Sequence, residues 1–276
     1  MLNIGCHLSI SKGFYFAGKQ AAEIGANTFQ YFTRNPRGGG RRELDQEDVK
    51  KLHDLVSDYK FAPLFAHAPY TMNLCSDKEE VRTFAKNVLK QDIERLKYLP
   101  KSYYIFHPGS HVGQGADCGI DYIVKALNEV IDEDNDITVL LEGMSGKGSE
   151  VGKNFEELKA IIDGVKYNKK LGVCLDTCHL HSAGYDIVND LDKVLDEIDK
   201  LIGFDRVLGV HLNDNKNSLA SFKDRHEVIG EGSIGLESII KFINHPRIKN
   251  LTFNLETPNE LDGYKREIEL LRKSAL

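Results

Sequence analysis

Short apolar runs recur along the chain, and seven of them end on a side chain able to bind a cation. Quoted as they stand, they are N-I-G-C-H ending at His7, P-L-F-A-H at His67, Y-Y-I-F-H at His107, T-V-L-L-E at Glu142, G-V-C-L-D at Asp176, V-L-G-V-H at His211 and T-F-N-L-E at Glu256. An eighth run, Thr28–Phe32, ends without such a group. Runs of this length with β-branched content read as strands buried on both faces, the kind found in parallel sheets. Their ends lie 25, 35, 40, 35, 34, 35 and 45 residues apart, one strand plus one helix per step. The pattern predicts an α/β fold, a single (β/α)8 TIM barrel over residues 1–276, with the ligand-type ends converging on one mouth.

Between the runs the period becomes helical. Phe16, Ala17, Ala21 and Ile24 mark a helix over Phe16–Gly25. Asp45 reads as the cap of a helix carrying Val49, Leu52, His53 and Val56 on one face, with His53 structural. Ser76 with Glu79 has the capping-box spacing and opens a helix with Val81, Phe84, Val88 and Leu96 inward. Further helices carry Ile123, Leu127, Val130 and Ile131, then span Phe155–Val165, Leu191–Ile202 and Leu236–Ile243, and the last presents Tyr264, Ile268 and Leu271. Asn213–Gly235 reads as a long polar loop, which in a compact barrel is usually functional.

Composition narrows the class without deciding the partner. At 41% hydrophobic and 28% charged, the chain reads as a soluble globular protein. M-L-N-I-G-C-H begins a strand directly, so no signal peptide is expected, and no apolar run reaches the length of a membrane helix. Five cysteines without a C-x-x-C pair argue for a reducing cytoplasm, and Cys6, Cys174 and Cys178 read as small core residues. The net charge of −6 opposes nucleic acid at first sight, but bound divalent ions would offset it locally.

The candidate ligands are His67, His107, His179, His211 and His226 with Glu142, Asp176, Asp224 and Glu256. Nine such groups, one carboxylate bridging, suit three ions, and mixed imidazole and carboxylate favours Zn²⁺ or Mn²⁺. Clusters of this kind suit phosphoryl chemistry. Asp176 also reads as a helix cap, and His179 as a satisfied histidine. His7 is a candidate for orienting the ligands, His111 for orienting its loop, and His181 and His245 read as surface or structural. The loop T-R-N-P-R-G-G-G-R-R, with Arg34, Arg37, Arg41 and Arg42, could contact phosphate or be a solvated turn. The glycines after Glu142 fit neither the dinucleotide fingerprint nor the P-loop, so no nucleotide cofactor is expected, and no G-x-S-x-G elbow supports a serine triad.

The stretches H-A-P-Y-T-M-N-L, F-H-P-G-S-H-V-G, G-V-C-L-D-T-C-H-L-H-S-A-G-Y-D, H-L-N-D-N-K, D-R-H-E-V-I-G-E-G-S-I-G and L-E-T-P resemble the endonuclease IV family from Gly5 to the end of the eighth strand. The resemblance implies a zinc-bearing abasic-site endonuclease of DNA repair that also removes 3′-blocking groups. It implies that Glu142 bridges two Zn²⁺ ions, one completed by His67 and His107 and the other by Asp176, His211 and Glu256. His179, Asp224 and His226 would hold the third, with Mn²⁺ an option at one position. A metal-bridging hydroxide would then attack the phosphate 5′ of the abasic site, leaving a 3′-OH and a 5′-deoxyribose phosphate. Arg37, Tyr70 and Thr71 fall where the family enters the DNA stack, and a monomer is the family expectation. The chain departs from the family at Thr71, where an apolar wedge is usual, at Gly38–Gly40, and at Gly143-Met144, where a polar residue could orient Glu142. Two other readings are a sugar isomerase or epimerase of the xylose-isomerase-like group, to which Asp224, His226 and the arginine loop are surplus, and a non-catalytic lesion-binding protein.

Overall fold

The computed structural model describes residues 1–37 and 40–276; Gly38 and Gly39 lie outside the described residues, and with them most of the glycine loop. The strands are β1 (Asn3–Cys6), β2 (Gln30–Phe32), β3 (Leu64–His67), β4 (Ser102–Phe106), β5 (Thr138–Glu142), β6 (Leu171–Asp176), β7 (Val207–His211), β8 (Asp214–Asn215), β9 (His226–Glu227) and β10 (Thr252–Leu255). The helices are α1 (Phe14–Glu23), α2 (Gln46–Asp58), α3 (Glu79–Leu96), α4 (Ala116–Val130), α5 (Phe155–Gly164), α6 (Thr177–Ala183), α7 (Leu191–Leu201), α8 (Gly235–Asn244) and α9 (Leu261–Ser274). Eight strands pair in the order β1-β10-β7-β6-β5-β4-β3-β2, all parallel, which is the expected barrel.

Two cores hold the barrel. Inside, Phe65, Ile105, Leu140 and Cys174 from β3 to β6 fill one layer, and Phe65 reaches across to Gly209, where a Cβ would lie 2.5 Å from the ring. Outside, the sheet packs on the helices through residues such as Tyr104, Phe106, Phe155, Phe242 and Phe253, all fully buried.

The ring closes at a narrow seam between β1 and β2. The two strands share a single bridge, His7 with Gln30, and Leu8 N donates to Gln30 O at 2.8 Å. Below it Asn27 N donates to Ile4 O at 3.1 Å, and Ile4 N donates to Asn27 Oδ1 at 2.9 Å. A Cβ on Gly5 would lie 2.1 Å from the Thr28 carbonyl oxygen, so only glycine admits this approach.

Local details depart from the sequence reading. Helix α1 begins at Phe14, because Asp48 of α2 accepts from Phe14 N at 2.7 Å and from Tyr15 N at 3.1 Å. The capping box at Ser76 does not form. Its hydroxyl accepts from Lys78 N, so the helix starts at Glu79 without a side-chain cap. Phe84 is 40% exposed, because the inward face of α3 is centred on Ala85, Val88, Leu89 and Asp92. The long loop contains the hairpin β8–β9, and α6 is an extra helix directly after β6.

We expect Gly5→Ala to destabilise the protein by roughly 2 kcal/mol or more, because the clash is with backbone and the Thr28 hydroxyl is tied to Pro63 O. An unchanged denaturant midpoint for this variant would show that the seam can yield.

Candidate metal centre

The strand ends deliver what the periodicity promised. Glu142 ends β5 with its carboxylate fully buried, and its two oxygens are shared between two imidazole pairs. Oε2 lies 3.1 Å from His67 Nε2 and 3.3 Å from His107 Nε2. Oε1 lies 3.1 Å from His211 Nδ1 and 3.3 Å from His179 Nδ1. Glu256 Oε2 is 3.4 Å from His211 Nδ1, and Asp176 Oδ2 is 3.9 Å from it. Further out, Asp224 Oδ1 lies 3.5 Å from His179 Nε2 and 3.4 Å from His226 Nε2.

Asp176 combines the two roles that its sequence context offered. It caps α6, accepting from His179 N through Oδ1 at 2.8 Å, and its Oδ2 stays turned to the centre, 3.6 Å from His226 Nε2. Ligand atoms within 4.8 Å of one another form the sets His67–His107–Glu142 and Glu142–Asp176–His211–Glu256. The outer residues form Asp176–His179–His226 and Cys178–Asp224–His226, so Asp176 serves two sets and Cys178 joins one unforeseen. Burial pushes the Cys178 thiol up to about 12, which keeps it protonated and consistent with a core role.

The histidines are held from behind. His67 Nδ1 donates to Ala68 O at 2.6 Å, His179 Nδ1 to Gly143 O at 2.9 Å, and His226 Nδ1 to Glu256 O at 3.2 Å. These bonds fix the tautomer and turn each Nε2 lone pair inward. They also explain how Gly143 can follow Glu142 without a polar side chain: its carbonyl orients His179, and the imidazoles orient the carboxylate. His179 Nε2 and His226 Nε2 are buried with no hydrogen-bond partner. Orphaned imidazole nitrogens facing carboxylates, with four carboxylates in one mouth, are the donor set of divalent cations.

Several positioning residues escaped the sequence reading. Asn213 Nδ2 donates to Asp176 Oδ2 at 2.7 Å while its Oδ1 accepts from Glu256 N at 2.8 Å, tying β6 to the eighth barrel strand. Asp214, fully buried, accepts from the backbone of Gly230, Gly232, Ile234 and Gly235 and so shapes the loop that carries His226. Their signal was the polar run N-D-N that begins two residues after His211. His7 lies tilted against Phe32 with centroids 4.2 Å apart and 3.6 Å from Glu256. His111 accepts from Gly115 N and His53 bonds Tyr98 O, as loop and structural histidines. His181 is buried against Asn215, and His245 pairs with Asp192.

At the rim Tyr70 is 61% exposed, its ring 5.0 Å from Phe32 and 5.9 Å from His107, with Thr71 exposed beside it. Arg37 is exposed, but Arg34 is not part of any phosphate-facing surface. It is buried and pairs with Asp92 at 2.5 Å, where Thr33 Oγ1 also donates at 2.6 Å, and it anchors the loop.

The electrostatics follow from this packing. Burial pushes the Glu142 carboxyl up, but the His211 and His107 charges and hydrogen bonds from His107 and His179 outweigh it and hold the group well below the usual range. Burial pushes His179 down, and Asp176, Asp224 and Glu142 outweigh it and raise it well above its ordinary value. His107 is raised in the same way, chiefly by Glu142 against burial. A depressed carboxyl adds stability above its unfolded pKa, lost as pH falls through its folded value. A raised imidazole adds stability below its unfolded pKa, lost as pH rises through its folded value. The metal-free centre therefore stabilises the fold most between about pH 5 and pH 6.5. We expect the melting temperature of chelator-treated protein to fall on both sides of that window and Glu142→Gln to flatten the profile. A steady climb from about pH 6 to about pH 8 would contradict this assignment.

Comparison with known proteins places the geometry in context. The family model described as xylose isomerase-like TIM barrel matches residues 19–274. A protein of Alkaliphilus oremlandii named probable endonuclease 4 is 58% identical over 99% of this chain and 98% of its own length. One of the same name from Clostridium botulinum is 57% identical over 99% of both. The crystal structure of endonuclease IV from Thermus thermophilus superposes with a TM-score of 0.87 at 33% identity, covering 99% of this chain and 98% of that one. A D-tagatose 3-epimerase-like protein, at 20% identity and a TM-score of 0.74, covers 98% and 96% and shares the fold alone.

Proposed function

The chain belongs to the endonuclease 4 family of xylose isomerase-like barrels, and on that premise we propose that it is a metal-dependent DNA repair endonuclease. It cleaves the phosphodiester 5′ of abasic sites, leaving a 3′-OH and a 5′-deoxyribose phosphate, and removes 3′-blocking groups. The observation that carries this reading is the division of the Glu142 carboxylate between two imidazole pairs, beside a third set of donors.

Three divalent cations, Zn²⁺ with Mn²⁺ an option at one position, would be held by His67, His107 and Glu142; by Glu142, Asp176, His211 and Glu256; and by His179, Asp224 and His226. Bound there, such cations supply Lewis acidity, lowering the pKa of water and taking up negative charge at phosphate and leaving oxygens. The chain itself holds the donors still. Backbone carbonyls fix three of the imidazoles from behind, and Asn213 fixes Asp176 and Glu256 relative to each other. Full burial of Glu142, Asp176 and His211 keeps bulk water from the floor of the site. At the rim, the exposed Arg37 meets backbone phosphate, and Tyr70 with Thr71 enters the gap left by the missing base. The free cysteines suit a reducing cytoplasm.

Duplex DNA with one tetrahydrofuran abasic analogue, assayed beside intact duplex, tests the reading. Scission at the analogue alone, with a 3′-OH end and close to three metals per chain, is the expected result. Metal-loaded protein that leaves the analogue intact would refute it and return attention to sugar epimerisation. Glu142→Gln is expected to fold and to lose cleavage and metal together. Tyr70→Ala is expected to weaken binding to the lesion by about 10-fold, as loss of one stacking contact implies, while keeping its metal content.

A further inference from the structure

Three of the inward-facing imidazoles are held by backbone carbonyls, which no substitution removes. His211 is held differently. Its Nε2 lies 2.7 Å from the side-chain oxygen of Gln30. Gln30 is fully buried on β2, the strand whose run sends neither imidazole nor carboxylate to the mouth. The amide's orientation is set by its other neighbours. Gln30 Nε2 lies 2.5 Å from Glu256 Oε1, and a carboxylate only accepts, so the amide nitrogen must face it. The same nitrogen has its second hydrogen for His7 Nδ1 at 2.9 Å. The oxygen therefore faces His211, whose Nε2 must donate. That leaves His211 Nδ1 as the lone pair aimed into the centre, 3.1 Å from Glu142 Oε1 and 3.4 Å from Glu256 Oε2.

We propose that Gln30 is a positioning residue that sets His211 and Glu256 together as one divalent-cation site. The inference rests on the cation reading of the mouth given above. One neutral amide is what this place requires: it accepts from a ring and donates to a carboxylate at once. A carboxylate at position 30 would keep the first bond and set a like charge against Glu256, and an apolar side chain would lose both. Released from Gln30, the His211 ring is free to take the other tautomer, and the Glu256 oxygen loses its donor.

The test compares wild type with Gln30→Met, similar in length and shape and without hydrogen-bonding capacity, by competition with a zinc chelator and by visible absorption of the cobalt-substituted protein. Wild type is expected to hold its full complement. In Q30M one metal equivalent is expected to weaken by about 10- to 100-fold, with the others unchanged and the cobalt bands shifted. If Q30M does not fold, Gln30→Glu serves in its place, since it still loses the donor to Glu256, and the same selective weakening is expected. Equal affinity and an unchanged spectrum beside a normally loaded wild type would overturn the inference alone. Uniform loss of every equivalent, with a lower denaturation midpoint, would reduce Gln30 to a structural part of the seam and overturn it as well. A wild type that binds no cation would overturn the cation reading and this inference with it.

Discussion

A carboxylate with no exposed surface is the constraint from which the rest of this structure follows. Burying the Glu142 charge without partners would be prohibitive, and each of its oxygens meets two imidazole nitrogens within 3.3 Å. Supplying four rings around one carboxylate requires four different chain segments to end at one height. A parallel barrel does this by construction, because neighbouring strands lie about 4.8 Å apart and all end at the same face. β5 sits between β4 and β6, so His107 arrives from one neighbour and His179 from α6 directly after the other, while His67 and His211 arrive from the strands beyond. Without the barrel the charge has no neutralising surround, and without the charge the histidines have no common focus.

Burial grades outward from that point. Glu142, Asp176 and His211 have fully buried side chains, Glu256 is 13% exposed, and Asp224 is 34% exposed. His179 on α6 is as buried as His67 at the end of β3, and the loop pinned by Asp214 supplies the more exposed Asp224 and His226. The floor is set by the sheet with α6, and the outer wall by a loop whose backbone N–H groups at Gly230, Gly232, Ile234 and Gly235 donate to a single buried aspartate.

Much of this was legible in the sequence because strand ends in a parallel barrel coincide with the ends of apolar runs. Seven run ends pointed to the mouth, and Asp224 and His226 were readable from a polar stretch too long for an ordinary turn. Residues inside a run were not legible in the same way. Gln30 sits within an apolar run, where a lone amide gives no sign of facing a histidine from another strand. Asn213 and Asp214 act on groups distant in sequence, so their partners leave no local pattern. The arginine loop misled for a related reason: four cations in ten residues read alike, and only packing against Asp92 shows that Arg34 is turned inward. Ser76 failed as a cap because its hydroxyl satisfied a nearer backbone N–H.

The seam between β1 and β2 has a consequence for how the protein comes into being. β1 leaves the ribosome before every other strand, yet its long pairing partner is β10, the last of them, while β2 meets it through one bridge. The barrel cannot be sealed until β10 has been made. Glu256 follows directly on β10, so the donor set around His211 stays incomplete until that strand has been made. A chain that stops short of β10 lacks both the long pairing partner of β1 and the Glu256 donor beside His211.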